Sequence, residues 1–316
     1  MAGGPHQGVG PVESAAWPAV PRHRHLRLQA IVTVDPLLPP PADPPEGERV
    51  HARTADGRQV TGVLYRAVHE PDSWGSLWSG LETWELTPLL EHADAGGMAA
   101  LLAVVRSRVD RATLGPEWSC TVCWPSRDTA ATRALLDAGF AALDALAVRT
   151  APPEPARPPQ DGLTIRLAGQ ADAVEVLRLW LEELRYSEPV GLNRVRSLET
   201  MVRLLEPEVR RSIDFDRNWL AEADGIPVGL ARCGWLLRGK PGRLPPGRWG
   251  LINTLSVTRD ARGGGVGAAL VNLAHRELLQ PGVAGTFLHY SPLNPLSSVF
   301  WHRQGYRPLW TTWVLR

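Results

Sequence analysis

The sequence predicts an α/β (α+β) chain built as two tandem halves, each alternating strands with helices. Two observations predict it. First, residues 251–270 read LINTLSVTRDARGGGVGAAL, and the Ala/Leu run continues without a breaker to residue 279. The opening seven residues alternate and are rich in Leu, Ile, Thr and Val, as a buried strand is. A glycine turn and a helix follow. Second, the chain repeats itself. Ala55-Asp56-Gly57 returns as Ala223-Asp224-Gly225, an offset of 168 (225 − 57). Gly96-Gly97-Met98-Ala99 returns as Gly264-Gly265-Val266-Gly267 at the same offset, and the pattern of 128–140 returns at 294–306.

Each element has a local cause. Residues 1–47 hold 10 of the 29 prolines. Proline fits neither a ladder nor a helix interior, so this segment is expected to be a flexible arm, with a possible first strand at 26–34. The first domain spans 48–150. It opens with a hairpin at 49–67 around Asp56-Gly57, a pair that favours a tight turn. A strand at 82–90, a helix at 96–109 and a strand at 119–124 follow. A helix at 128–138 is closed by Gly139, and a last strand is expected at 141–149. Residues 151–162 (APPEPARPPQDG) carry five prolines and read as a semi-rigid linker.

The second domain spans 163–316. It begins with a strand at 163–167 and a helix at 172–185, with Val174, Leu177, Leu181 and Leu184 on one side. A helix near 197–205 and a hairpin at 219–237 around Asp224-Gly225 follow. After the strand–turn–helix stretch come a strand at 286–290, a helix at 295–304 and a strand at 309–315. The two helices after the first strand have no counterpart in the first domain.

Composition bounds the function. The chain is 44% apolar and 21% charged, with a formal net charge of +1. That balance argues against a nucleic-acid or membrane-surface partner. No segment has the length of a membrane span or a signal peptide, so a cytoplasmic location is expected. Cys120 and Cys123 form a C-x-x-C within a strand. Residues three apart on a strand point to opposite faces, so all three cysteines are expected as reduced thiols. The Arg22-His23-Arg24-His25 cluster reads as a solvated tail, and no metal is expected.

The glycine turn carries the chemistry. Arg262, Gly263, Gly264, Gly265, Val266 and Gly267 place backbone N–H groups without side-chain obstruction at a positive helix N-terminus, which is an anion seat. Arg262 adds a forked cation. No Gly-Lys-Ser/Thr follows, as in a P-loop. No acidic residue sits on a second parallel strand, as in a dinucleotide fold. The R-x-x-G-x-G spacing resembles the acyl-CoA pyrophosphate loop of the GNAT superfamily of N-acetyltransferases. The resemblance covers the full family pattern over 163–316 and a shortened one over 49–149.

The resemblance implies two tandem GNAT-like domains, each a mixed, mostly antiparallel sheet flanked by helices, with acetyl-CoA as co-substrate. The acceptor it implies is a primary amine of a small molecule or peptide. Arg262 to Gly267 would hold the pyrophosphate, backbone N–H groups around Ser256 and Val257 would meet the pantetheine and the oxyanion, and Asn294 would bond the pantetheine arm. Asn294 also suits a helix N-cap. Asp94 stands where the second half has Arg262, so the first half is expected to be a degenerate partner. Asn253 falls where family members often carry a Glu base, and Trp301 where they carry the Tyr that protonates the thiolate. An indole cannot supply that proton. His289 is then the candidate base, with Tyr290 and His302 beside it. Glu182, Glu183 and Tyr186 end the helix expected to line the acceptor site, and Trp310 or Trp313 are further candidates for its walls. The missing Glu and Tyr fit a second reading, a catalytically inactive acyl-CoA-binding sensor or partner module.

Overall fold

The structure is a computed structural model. It describes residues 34–40, 43–90, 94–110, 114–153, 162–236 and 243–316. The strand expected at 26–34 lies outside the described residues except for Val34, as do the Arg22–His25 cluster and residues 154–161 of the linker.

The first half runs β1 (Glu48–Arg53), β2 (Gln59–Val68), β3 (Glu82–Pro88), α1 (Ala95–Val109), β4 (Trp118–Pro125), α2 (Thr129–Asp137) and β5 (Ala141–Arg149). The second runs β6 (Leu163–Leu167), α3 (Ala173–Ser187), α4 (Leu198–Phe215), β7 (Arg217–Ala223) and β8 (Ile226–Leu236), then β9 (Arg248–Val257), α5 (Val266–Leu278), β10 (Val283–Tyr290), α6 (Pro295–Arg303) and β11 (Arg307–Leu315). The strand–strand–strand–helix–strand–helix–strand order of the first half is repeated from β7 onward. The second hairpin turns at Asp224 and Gly225, both with positive φ, as a tight turn of that kind requires.

All eleven strands form one sheet, in the order β1-β2-β3-β4-β11-β5-β10-β9-β8-β7-β6. The sequence suggests two separate sheets, and the difference lies in the last strand of each half. β11 pairs antiparallel with β4, and β5 pairs antiparallel with β10. The two strands also pair with each other. Each half therefore completes the other's sheet. The exchange reaches the cores: Trp313 and Leu315 pack with Met98, Leu101 and Val122, while Ala145 and Ala147 pack with Leu270, Ala274 and Leu288.

This topology sets an expectation for the isolated second half. Fragment 163–316 alone would leave β11 without both neighbours and β10 with an open edge, a template for association. It is expected to elute from size exclusion as oligomer or aggregate, and co-expression with 1–150 is expected to restore a species of full-chain size.

Three of the differences from expectation have a packing cause. β9 begins at Arg248, three residues before the alternating run. Its Trp249 is buried against Phe287 and Leu309, so tertiary packing extends it. α4 runs past residue 205 to Phe215, through Pro207. Pro207 lies on the exposed side of that helix, while Leu205 and Val209 hold its inner face against the core. Residues 34–40, within the expected arm, are anchored to the body. Leu38 is buried beside Leu146 and Phe287, and Asp35 is buried in ion pairs with Arg307 and Arg127. Those guanidiniums hold the Asp35 carboxyl below the usual carboxylate range against the opposing effect of burial.

Candidate active site

The site forms where two parallel strands part. β9 and β10 are paired from Arg248/Val283 to Leu251/Phe287, and no further pairing occurs between them among the described residues. The C-terminal stretch of β9 thus offers a backbone edge to whatever enters the splay. β3 and β4 part in the same way after Leu86/Val122.

A bulge lies at the point of divergence. Cys233 of β8 faces Ile252 and Arg232 faces Thr254, so Asn253 is the extra residue on β9. A bulge resets the alternation and re-aims the side chains beyond it. Ile252 and Leu255 consequently both pack toward α5, and Ser256 is buried while Val257 is partly so. Asn253 is exposed to the cleft rather than committed to the ladder.

Beyond β9 the chain turns into α5 through the glycines. Gly263 and Gly265 have φ of 81° and 79°, a region that side chains with a Cβ enter at a cost. Gly265 is the N-cap of α5, and no side chain caps that end. The first N–H groups of the helix are thereby presented outward. Gly267 is different: a Cβ there would meet Phe300 and Val257 at ordinary contact distances, 3.5 and 3.7 Å. Arg262 is exposed, donates from Nε to the Val257 carbonyl at 3.0 Å, and lies 4.4 Å over the Tyr186 ring. Tyr186 thus supports the arginine beside the glycine turn.

The corresponding end of α1 is arranged oppositely. Asp94 caps it, accepting from the Gly97 N–H at 2.8 Å, and both its oxygens take hydrogen bonds from Arg58 at 2.8 Å. The protein's own carboxylate occupies the donor end of that helix. The Arg58 guanidinium holds the Asp94 carboxyl below its ordinary range.

A cleft of about 320 Å³ opens at the splay and brings together six residues singled out from sequence: Glu183, Asn253, His289, Tyr290, Asn294 and Trp301. Asn294 caps α6, accepting from the N–H groups of Leu296 and Ser297 at 3.1 and 3.2 Å. Trp301 is buried, edge-on to Phe300 and Tyr306, and serves as a wall. His289 Nδ1 lies 2.8 Å from the Asp144 carboxylate. Asp144 belongs to β5 of the first half, so the strand exchange supplies the partner of this histidine. Tyr290 is bonded through its hydroxyl to His302 Nε2 at 2.9 Å, and burial pushes its phenol up. Trp310 and Trp313 do not line the cleft. Trp310 donates to the Arg243 carbonyl and Trp313 sits in the first-half core.

The structure separates two adjacent glutamates. Glu182 faces Arg178 at 3.5 Å on the outer side of α3. Glu183 turns into the cleft, among walls that include Trp74 and Trp78 of the first half. Burial pushes its carboxyl up to about 7, against a smaller opposing hydrogen bond from Ser187. A carboxyl poised there is suited to exchanging protons near neutrality.

The central strands of the sheet thus part between a glycine-capped helix N-terminus and a cleft that holds a buried carboxyl. Residues 177–306 match the family model for the acetyltransferase (GNAT) family. A solved GCN5-related N-acetyltransferase from Sphaerobacter thermophilus is similar in fold over 85% of this chain and 80% of its own, with a TM-score of 0.52 at 16% identity. A GCN5-related N-acetyltransferase from Kribbella flavida aligns over 91% of both chains with a TM-score of 0.44 at 16% identity. No curated protein sequence matches the chain. Among the described residues there is no group of His, Cys, Asp and Glu able to hold a metal, and no helix long and apolar enough to cross a membrane.

Proposed function

We propose that this protein is an N-acyltransferase that moves an acetyl group from acetyl-CoA to a primary amine of a small molecule or peptide. One observation carries the reading: an uncapped helix N-terminus beside Arg262 lies at one end of the β9/β10 gap, and a carboxyl held near neutrality lies in the cleft at the other. The residues suit acetyl-CoA. The N–H groups at 263–267 and the Arg262 guanidinium would hold the pyrophosphate. The free edge of β9 near Ser256 and Val257 would pair with the pantetheine, and Asn294 has its amide nitrogen left for the same arm. Bound there, acetyl-CoA supplies an activated thioester carbonyl.

The protein's own groups do the rest. Glu183, in its carboxylate form, accepts the proton of the acceptor ammonium and exposes the nucleophilic lone pair. The nitrogen–carbon bond then forms, the nitrogen gives up its second proton to His289, the carbon–sulfur bond breaks, and CoA leaves as the thiolate. β9 N–H groups at the bulge stabilise the oxyanion between those events. Asp144, 2.8 Å from His289 Nδ1, orients the imidazole for that second proton. In this reading the first half is a degenerate GNAT-like partner. Its α1 terminus is filled by Asp94, and its contributions are Asp144 and the tryptophans Trp74 and Trp78.

A thiol-release assay with acetyl-CoA and a panel of primary amines tests the proposal. Acceptor-dependent CoA release is expected for at least one amine, with a matching acetylated product by mass. Binding of acetyl-CoA without release for any amine would favour the sensor or partner module instead.

A further inference from the structure

The cleft wall carries a buried cation that the transfer chemistry does not use. It is Arg232 of β8, which is 2% exposed. Its guanidinium stacks 3.8 Å over the Trp180 ring. Its Nη2 stands 3.6 Å from Glu208, beyond hydrogen-bond distance. Nε and Nη1 are buried and have no hydrogen-bond partner among the described residues. The charged groups facing it are Glu208, Asp216 and Arg211. Glu208 is already taken, since its two oxygens accept from Arg211 at 2.8 and 2.7 Å. Asp216 is drawn to Arg211 as well, at 3.4 Å. The hydrogen bonds of these acids go to Arg211, and Arg232, in a longer ion pair with Glu208, keeps two unpaired donors.

A buried guanidinium with unused N–H groups is costly unless something accepts from it. Burial lowers Arg232 only to about 10, so it is a cation at neutral pH. Its planar, weakly hydrated fork, held flat by Trp180, matches a carboxylate. Trp180 and Glu183 sit on one face of α3, three residues and about 4.5 Å apart along its axis. An acceptor with its amine at Glu183 would extend a second group toward Arg232.

We propose that the acceptor is an amino-carboxylate: its amine meets Glu183 and its carboxylate is bound by Arg232 on the wall of the same cleft. This rests on the cleft being the acceptor site. The test pairs β-alanine, γ-aminobutyrate and 5-aminovalerate with ethylamine, propylamine and butylamine in the thiol-release assay. It also measures the melting temperature with millimolar glutarate, which has no amine to acetylate. The wild type is expected to prefer the carboxylated member of a pair by about tenfold or more in kcat/KM, and glutarate is expected to raise its melting temperature. In Arg232→Met both effects are expected to be lost while acetyl-CoA still binds. Arg232→Lys, which keeps the charge without the fork, is expected to fall between and serves if the methionine variant does not fold. Equal use of both members of every pair, or glutarate protection that survives Arg232→Met, would overturn the proposal. Glutarate protection through Arg232 with no amine acetylated would uphold the carboxylate site and sink the transferase reading instead.

Discussion

Acetyl-CoA is expected to bind the wild-type protein at one site, and Arg262→Asp is expected to weaken that binding by about 100-fold or more, read by calorimetric titration. The substitution copies into the second half the residue that the first half uses. Removing a charge-assisted hydrogen bond costs ~1.5–3 kcal/mol, and the reversed charge adds repulsion at close range. Arg262 is exposed, and its side chain donates from Nε to the Val257 carbonyl, so the fold is expected to survive with its melting temperature nearly unchanged. In the first half, Asp94 caps α1 and is neutralised by Arg58. The aspartate introduced at 262 would sit by the α5 terminus with no such arginine assigned to it. A second equivalent that persists in Arg262→Asp would mean the α1 terminus takes the nucleotide despite Asp94.

The features legible in the sequence are local. The glycine turn, Arg262 and the Asn294 cap sit within runs whose backbone demands are written in adjacent residues. The Asp-Gly hairpins and the helix–glycine closures likewise carry the repeat. The features it conceals are non-local. Nothing in the pattern of 141–149 or 309–315 says that those strands pair with the opposite half, so sequence does not connect Asp144 with His289, 145 residues away. Glu182 and Glu183 are indistinguishable by type. Their difference is a rotation of about 100° around α3, and the wall that encloses Glu183 includes tryptophans from the first half. Arg232 reads as an ordinary charged position on a strand, and only three-dimensional packing shows that it is buried. Asn253 falls on its expected strand. The bulge that makes it a cleft residue depends on the register of β8 against β9.

Glu183→Gln is expected to lower kcat by about 10²–10³-fold and, over the same pH range, to stabilise the fold. Both effects come from one cause. Burial raises the carboxyl from its ordinary value to about 7, so the folded protein prefers the neutral form. For a group raised on folding, the stabilisation is fully present below the unfolded value near 4.5 and is lost as pH climbs through about 7. At pH 8 the wild type therefore carries an enclosed carboxylate, at a cost of about 1–3 kcal/mol after allowance for solvent screening. Glutamine has the same shape and no charge to enclose. Its melting temperature is expected to exceed that of the wild type by a few degrees at pH 8 and to match it near pH 4. The activity runs the other way. The base must be ionised, so wild-type kcat/KM is expected to rise about tenfold per pH unit below 7 and to level above it. Glu183→Gln should lose that limb. The other titratable groups on the cleft wall include Asp144, His289 and Tyr290. If His289 were the base, the limb would survive Glu183→Gln and vanish in a His289→Gln variant. A gain in alkaline stability together with a lost acidic limb would tie the proton transfer to Glu183, because a glutamate that only shaped the wall would change the first and leave the second.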